Sequence, residues 1–492
     1  MDLDADACYR AICTRDARFD GILFGGVTTT GIYCRPICPA RTPKREHVRF
    51  FWSAAAAQAA GFRPCLRCRP ETAPELAAWN GTSNSVSRAL ALIELGALDH
   101  AGVDALASRL GLGERQLRRL FDQHLGASPV SVAQTRRVLL AKQLIHETRL
   151  SMMDIAMASG FGSIRRFNEV FHTLYGRPPH LLRRAGGPEA ASAGVVTILL
   201  RYRPPYDWPG MLAFLDARAI QGLEVVERDE YRRAIEIDGL HGTISVRPHQ
   251  GNALRAEIRF PKLSKLPAII ARLRRVFDLG ANPQAIAEQL VEDAVLAPRV
   301  LARPGLRVPG AWDGFELAVR AVLGQQITVS GARALAGRLV VQHGDPLDPR
   351  FATAGLTHVF PRPSRLARVN LAALGMPKAR AAALSGLAAA VDSDSGLLAL
   401  SGSLEAAIAR LRQLPGVGEW TAQYIAMRVL REPDAFPAAD IALLRSMADR
   451  RGRRPTPEAL LARAERWRPW RAYAAQYLWT VTPSGSRVRR AA

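Results

Sequence analysis

The spacing of apolar and polar positions changes several times along the chain. Within residues 1–80, short runs such as Val48-Arg49-Phe50-Phe51-Trp52 read as strand, and an alanine-rich stretch near 53–60 reads as helix. From 81 to 184 the period is helical throughout. Two helix-turn-helix patterns fit there: Val103–Leu110 with Glu114–Phe121 across Gly111-Leu112-Gly113, and Met153–Ser159 with Ser163–Phe171 across Gly160-Phe161-Gly162. Leu117, Leu120 and Phe121 fall at i, i+3 and i+4, and Phe167, Val170 and Phe171 repeat that spacing, so each set shares one helix face. Small residues at 185–194 read as a linker. Strand patterns follow at Val195–Tyr202, Tyr231–Ile237, Gly242–Val246 and Leu254–Phe260, and amphipathic Ala/Leu/Arg runs resume from about 262. The expected architecture is multidomain: a small α/β unit (1–80), an all-α unit (81–187), an α+β unit (195–303) and a second all-α unit (304–485).

A chain of 492 residues exceeds one ordinary core, which agrees with that division. No apolar run reaches the roughly 18 residues of a membrane span. The start, Met1-Asp2-Leu3-Asp4-Ala5-Asp6, is acidic rather than basic, so the expected location is cytoplasmic, associated with the bacterial nucleoid. Lys and Arg number 67 against 44 Asp and Glu, a net charge of +23, and the excess persists through every section. This points to a polyanionic partner, most simply DNA; an arginine-rich composition bias is the alternative. All six cysteines lie in the first 68 residues, which favours metal chemistry over a disulfide framework.

Cys34 and Cys38 form one close pair, and Cys65 and Cys68 a second. Two such pairs, with turns at Gly31, Pro36, Pro39 and Pro64, suit tetrahedral zinc, one ion per chain. Cys8 and Cys13 read as ordinary buried cysteines. The stretch Gly26–Arg41 followed by Gly61–Pro70 resembles the N-terminal domain of the Ada family, over residues 4–75. That resemblance implies that Cys34 takes a methyl group from a methylphosphotriester in the DNA backbone. It also implies that Cys38, Cys65 and Cys68 complete the zinc site and that Arg41 contacts a phosphate. A thiolate is the form of sulfur able to act as nucleophile.

With the apolar faces of the two helix-turn-helix patterns turned inward, Arg115, Arg118, Arg119, Arg165 and Arg166 are left for a DNA groove and its phosphates. A structural bundle with a solvated basic face is the alternative. The block Gly160-Phe161-Gly162, Phe167, Phe171, Tyr175-Gly176 and Pro178 resembles the second repeat of AraC/XylS regulators. RNA polymerase is an expected partner of such a regulator.

Near the C-terminus, Leu414-Pro415-Gly416-Val417-Gly418 reads as a helix-hairpin-helix turn. Its glycines allow backbone N–H groups to face a phosphate. Asp440 follows Gly418 by 22 residues. Together with segments at 202–211, 303–310, 321–326 and 467–473, this resembles the AlkA-type 3-methyladenine glycosylases of the helix-hairpin-helix superfamily, over roughly 196–482. The resemblance implies an α+β domain with a TBP-like sheet beside an all-α glycosylase domain. Asp440 would stabilise the sugar cation left when an alkylated base departs, although a helix N-cap is its alternative role. Trp420, Tyr424 and Trp479 would form the base pocket, with core packing as their alternative. Pro415, Gly416 and Gly418 would contact DNA, and the carbonyls of Arg412, Leu414 and Val417 could hold a monovalent cation. Gln326 stands where the family has a leucine wedge. Glu419 and Trp420 occupy the place of the lysine used by lyase members, which implies hydrolysis without strand cleavage.

The whole chain thus reads as a monomeric alkylation-response protein that combines sensor, regulator and excision enzyme. The alternative is a regulator with an inactive glycosylase-like half. Because residues 69–492 contain no cysteine, no transfer from O6-methylguanine is expected. Incubation with DNA carrying that base should leave the lesion intact.

Overall fold

The computed structural model describes residues 4–73, 84–99, 101–183, 194–394, 396–398, 403–449 and 451–480. All but the last residue of the expected linker at 185–194 lies outside them, as do 81–83 and 481–485. Among the described residues no helix is long and apolar enough to cross a membrane.

The first unit is a four-stranded sheet in the order β3-β1-β2-β4, where β1 is Phe24–Val27, β2 Ile32–Cys34, β3 Val48–Phe51 and β4 Arg63–Pro64. β1 pairs antiparallel with β2 and β3, whereas β2 and β4 run parallel. The β1–β2 turn closes at Gly31, whose φ of +63° suits a residue without Cβ. The alanine-rich helix is Ala54–Ala59, capped by the Ser53 hydroxyl, which accepts from Ala56 N (3.0 Å) and donates to Leu125 O (2.7 Å) in the next unit.

The helical unit holds the pairs Val103–Arg109 with Glu114–Leu125 and Met152–Ala158 with Ile164–Tyr175, joined by the long helix Pro129–Glu147. Leu117, Phe121, Phe167 and Phe171 are fully buried, as their spacing requires, while Leu120 and Val170 are half-buried. Gly126 and Gly176 end the second helix of each pair in the left-handed region.

The second sheet is antiparallel, in the order β5-β9-β8-β7-β6: β5 Val195–Arg201, β6 Glu224–Glu227, β7 Glu230–Ile237, β8 Leu240–His249 and β9 Ala253–Arg259. Helices Trp208–Asp216 and Leu266–Val276 accompany it. The remaining helices, from Gly314–Leu323 to Arg471–Trp479, form the last unit. A charged quartet, three of whose members are buried, fastens β7 to it: Arg233 bonds Glu316 (2.7 Å), and the half-buried Arg320 bonds both Glu316 and Glu224 (each 2.6 Å).

Core packing does not follow the divisions read from the pattern. One apolar cluster joins Val138 and Ile145 of the long helix and Ile155, Phe167 and Phe171 of the second helix pair to Ile198, Val246 and Leu273 of the sheet unit. Another joins Ile220, Leu223 and Ile286 to the last helical unit. The first helix pair keeps a cluster of its own around Leu117 and Phe121.

Candidate functional sites

Of the two cysteines expected to be buried, Cys8 is, but Cys13 is exposed because it ends helix Ala5–Cys13 on the outer side. The four sequence-paired cysteines converge. β2 ends at Cys34, the following turn brings back Cys38, and β4 delivers Cys65 and Cys68; all four sulfurs lie within 4.8 Å of one another. Tetrahedral zinc at a Zn–S distance of about 2.3 Å needs sulfurs roughly 4 Å apart. The chemistry of the set agrees. Hydrogen bonding, to Cys38 above all, pushes the Cys34 thiol up. The Cys65 thiol is held far down, chiefly by Cys34, and Cys38 comes down to about 7 for the same first reason. Sulfurs this close share protons unless a soft cation replaces them, and four thiolates suit zinc.

Beside them opens a cavity of about 330 Å³. Arg41 lines it, and so do Arg35, Arg63 and Arg67, which pattern reading passed over. Their signal was present, since each neighbours or interleaves the cysteine pairs. Cationic walls around the Cys34 sulfur suit an anionic ligand.

The arginines assigned to the helix-turn-helix pairs, Arg115, Arg118, Arg119, Arg165 and Arg166, are all exposed. Arg118 pairs with Glu114 (2.5 Å) and Arg165 with Glu169 (2.8 Å), each one helical turn away. Exposed pairs of this kind are weak enough to be exchanged for a phosphate.

In the last unit the hairpin links Leu404–Arg412 to Glu419–Arg428. Pro415, Gly416 and Gly418 are exposed, and Val417 anchors the turn in the core. Gly416 has φ +79°, and a Cβ there would meet the Ala383 Cβ at 2.4 Å. Gly418 caps the following helix without a side chain, so its first-turn N–H groups face outward over the hairpin. The Leu414 carbonyl accepts from Val417 N at 3.1 Å. Arg412, another of the three carbonyl candidates, ends the preceding helix and pairs through its side chain with Glu419 (3.1 Å).

Next to the hairpin, Gln325 donates to Gly416 O (2.8 Å) and Thr421 Oγ1 (2.9 Å), and Arg380 donates to Gln325 O (2.6 Å). These bonds hold Gln326 exposed in the left-handed region, at φ +56°. Strain of that kind costs on the order of 1 kcal/mol and persists only where neighbours enforce it.

Asp440 is half-buried and takes the helix-capping position that the sequence offered as its alternative role, while its carboxylate also meets two indoles. Oδ1 caps helix Ile441–Ser446, accepting from Ala442 N (2.9 Å) and Leu443 N (3.0 Å), and also accepts from Trp479 Nε1 (2.9 Å). Oδ2 accepts from Trp420 Nε1 (2.8 Å). Two indoles, from helices Glu419–Arg428 and Arg471–Trp479, thus orient one carboxylate. Trp420 stacks on Tyr424 (5.2 Å, 12°), and Trp479 meets Tyr424 edge-on (6.3 Å, 64°). Beneath Tyr424 lies the buried Arg428, 4.9 Å from the ring centre and bonded to Pro309 O (3.0 Å). Burial lowers its pKa to about 10, so it stays cationic at neutral pH. Its i+4 spacing from Tyr424 was the available signal.

Residues 7–71 match the family described as the metal binding domain of Ada, residues 106–185 a helix-turn-helix domain, and residues 197–313 the AlkA N-terminal domain. A Mycobacterium tuberculosis protein named a probable bifunctional transcriptional activator/DNA repair enzyme AlkA is 42% identical over 98% of this chain and 97% of its own length. DNA-3-methyladenine glycosylase 2 of Escherichia coli is 36% identical over 57% of this chain and 95% of its own. A solved 3-methyladenine DNA glycosylase from Archaeoglobus fulgidus has 22% identity and a TM-score of 0.51, covering 57% of this chain and 97% of its own, a likeness of fold.

Proposed function

The chain belongs to the family of bifunctional transcriptional activators and DNA repair enzymes, and from that premise we propose that it registers alkylation of the DNA backbone at Cys34 and excises alkylated bases at Asp440. The observation that carries the excision reading is the Asp440 carboxylate, oriented by two indole N–H groups in an aromatic wall beside an exposed hairpin. An N-alkylated purine is cationic and leaves readily. As its N-glycosidic bond breaks, positive charge grows on the sugar, where a fixed carboxylate stabilises it and helps a water to add. The faces of Trp420, Tyr424 and Trp479 suit a flipped cationic base. Pro415, Gly416 and Gly418 would hold a phosphate, and Gln326 would enter the gap left by the base. A monovalent cation at the carbonyls of Arg412, Leu414 and Val417 belongs to the same reading. So does hydrolysis without strand cleavage, because Glu419 and Trp420 offer no amine for a Schiff base. Release of free 3-methyladenine from methylated duplex by the purified chain tests the reading, and absence of release defeats it.

At the other centre, Cys34, Cys38, Cys65 and Cys68 would hold zinc, which when bound keeps sulfur deprotonated at neutral pH. The Cys34 sulfur attacks the methyl carbon of a backbone phosphotriester. An S–C bond forms, the C–O bond breaks, and its electron pair remains on the phosphate, restoring an ordinary diester. The thioether is not turned over, so the transfer is stoichiometric. Arg41 would hold the phosphate. Arg115, Arg118, Arg119, Arg165 and Arg166 would hold an operator, with RNA polymerase recruited there by a monomeric chain. Metal analysis should find one zinc per chain, and close to none in Cys65→Ser; unchanged zinc in that variant would contradict the ligand set.

A further inference from the structure

Two connections, the first part-buried and the second buried, tie the sensor-regulator half to the excision half, and neither chemistry by itself requires them. The first lies at β5, an edge strand. Glu147 Oε2 accepts from Leu199 N (3.0 Å), and Gln143 Nε2 donates to Leu199 O (2.9 Å), so helix Pro129–Glu147 satisfies the open edge at that residue. Glu147 Oε1 in turn accepts from Arg69 (2.9 Å), the residue after Cys68.

The second starts beside the acceptor. Arg35 follows Cys34; its amide donates to Cys68 Sγ (3.4 Å) and its guanidinium donates to the Asp20 carboxylate (Nε–Oδ1, 2.7 Å). The Asp20 carbonyl accepts from Arg203 (3.1 Å), across the seam. The Arg203 carbonyl accepts from Arg307 (2.5 Å), and Arg307 donates to Asp278 O (3.3 Å). The Asp278 carboxylate accepts from Tyr473 (2.7 Å) and Arg431. Tyr473 lies on the helix that ends in Trp479, whose indole holds Asp440. Asp20, Arg35, Arg203, Arg307, Asp278 and Tyr473 are all buried. An arginine placed in a core and aimed at one carbonyl of another unit is costly unless its partner stays put, so displacement at one end is resisted at the other.

We infer that the methyl-acceptor and base-excision centres are energetically coupled through Arg203–Asp20 and Glu147–Leu199, so that methylation of Cys34 alters excision at Asp440. The inference rests on Cys34 being the acceptor. The added carbon must be accommodated beside Arg35, whose amide and side chain begin the second connection. Coupling of this kind is reciprocal in binding terms and typically reaches fivefold or more.

The test uses the full chain, methylated with a methylphosphotriester duplex, freed of DNA, and checked by peptide mass for one methyl group on Cys34. Amide exchange is then read over 196–201 and 471–479, together with single-turnover release of 3-methyladenine. Methylation is expected to speed exchange in both segments about fivefold and to change the release rate about threefold. Arg203→Met and the isosteric Glu147→Gln should each reduce the response while leaving unmethylated release within about twofold; the second variant serves if the first does not fold. A methylated wild type with unchanged exchange and release overturns the coupling, as does a full response in both variants. Absence of methyl on Cys34 instead overturns the acceptor assignment, and the coupling falls with it.

Discussion

Asp440→Asn is expected to bind alkylated duplex as the wild type does and to release its base at least about 100-fold more slowly. The hairpin, the aromatic wall and the basic surface are unchanged by the substitution, so affinity survives. What is lost is a full negative charge placed where the sugar becomes cationic, and removing one preorganised electrostatic partner typically costs 100- to 1,000-fold. The amide also fits its surroundings poorly. Its oxygen can keep the cap of Ile441–Ser446 and the Trp479 N–H, but its NH2 then faces the Trp420 N–H, donor against donor. Single-turnover release, paired with anisotropy titration of the same duplex, separates the two effects. Near-normal release by the variant would remove Asp440 from its assigned role.

The second large effect concerns affinity. Four thiolates around a divalent ion leave two net negative charges, and methylation of Cys34 leaves one. Cys34 opens into a cavity lined by Arg35, Arg41, Arg63 and Arg67, so on the proposed reading the change falls where a backbone phosphate would lie. Less repulsion there should raise DNA affinity by about tenfold at low salt, roughly the worth of one effective charge, and the gain should shrink as salt rises. The helix-turn-helix pairs would turn that gain into tighter operator binding. Titration of the full chain with operator DNA before and after methylation, across a salt series, measures it. Affinity that does not rise, or that rises equally in Cys34→Ser, would exclude this electrostatic switch.

Much of this was legible in one dimension. Two close cysteine pairs can do little else than converge, and Leu117, Phe121, Phe167 and Phe171 were placed by helical period. β5, β7, β8 and β9 are long enough for alternation to show, whereas β1, β2, β4 and β6 are not. β1 is Phe24-Gly25-Gly26-Val27, too glycine-rich to score as strand, and β4 is two residues long; both exist because neighbours pair with them. At the site, the sequence offered capping and catalysis as rival roles for Asp440, because a one-dimensional spacing cannot show that one oxygen serves the cap while the other faces Trp420. The direction of the Trp479 indole depends on how the Arg471–Trp479 helix returns to the hairpin, and the Arg203–Asp20 contact spans 183 residues. Neither leaves a local trace.

Gln143 and Glu147 have a protective consequence as well. β5 is the outermost strand of its sheet, and an outermost strand with open N–H and C=O groups is a template for another chain. The two side chains occupy both groups of Leu199, near the middle of that strand, and deny an incoming strand its register. A chain trimmed of its first 183 residues would present this rim bare, beside apolar surface that the second helix pair covers in the intact protein. Such a fragment should self-associate through sheet extension as its concentration rises. The regulatory half is therefore also a built-in guard against aggregation of the enzyme to which it is joined.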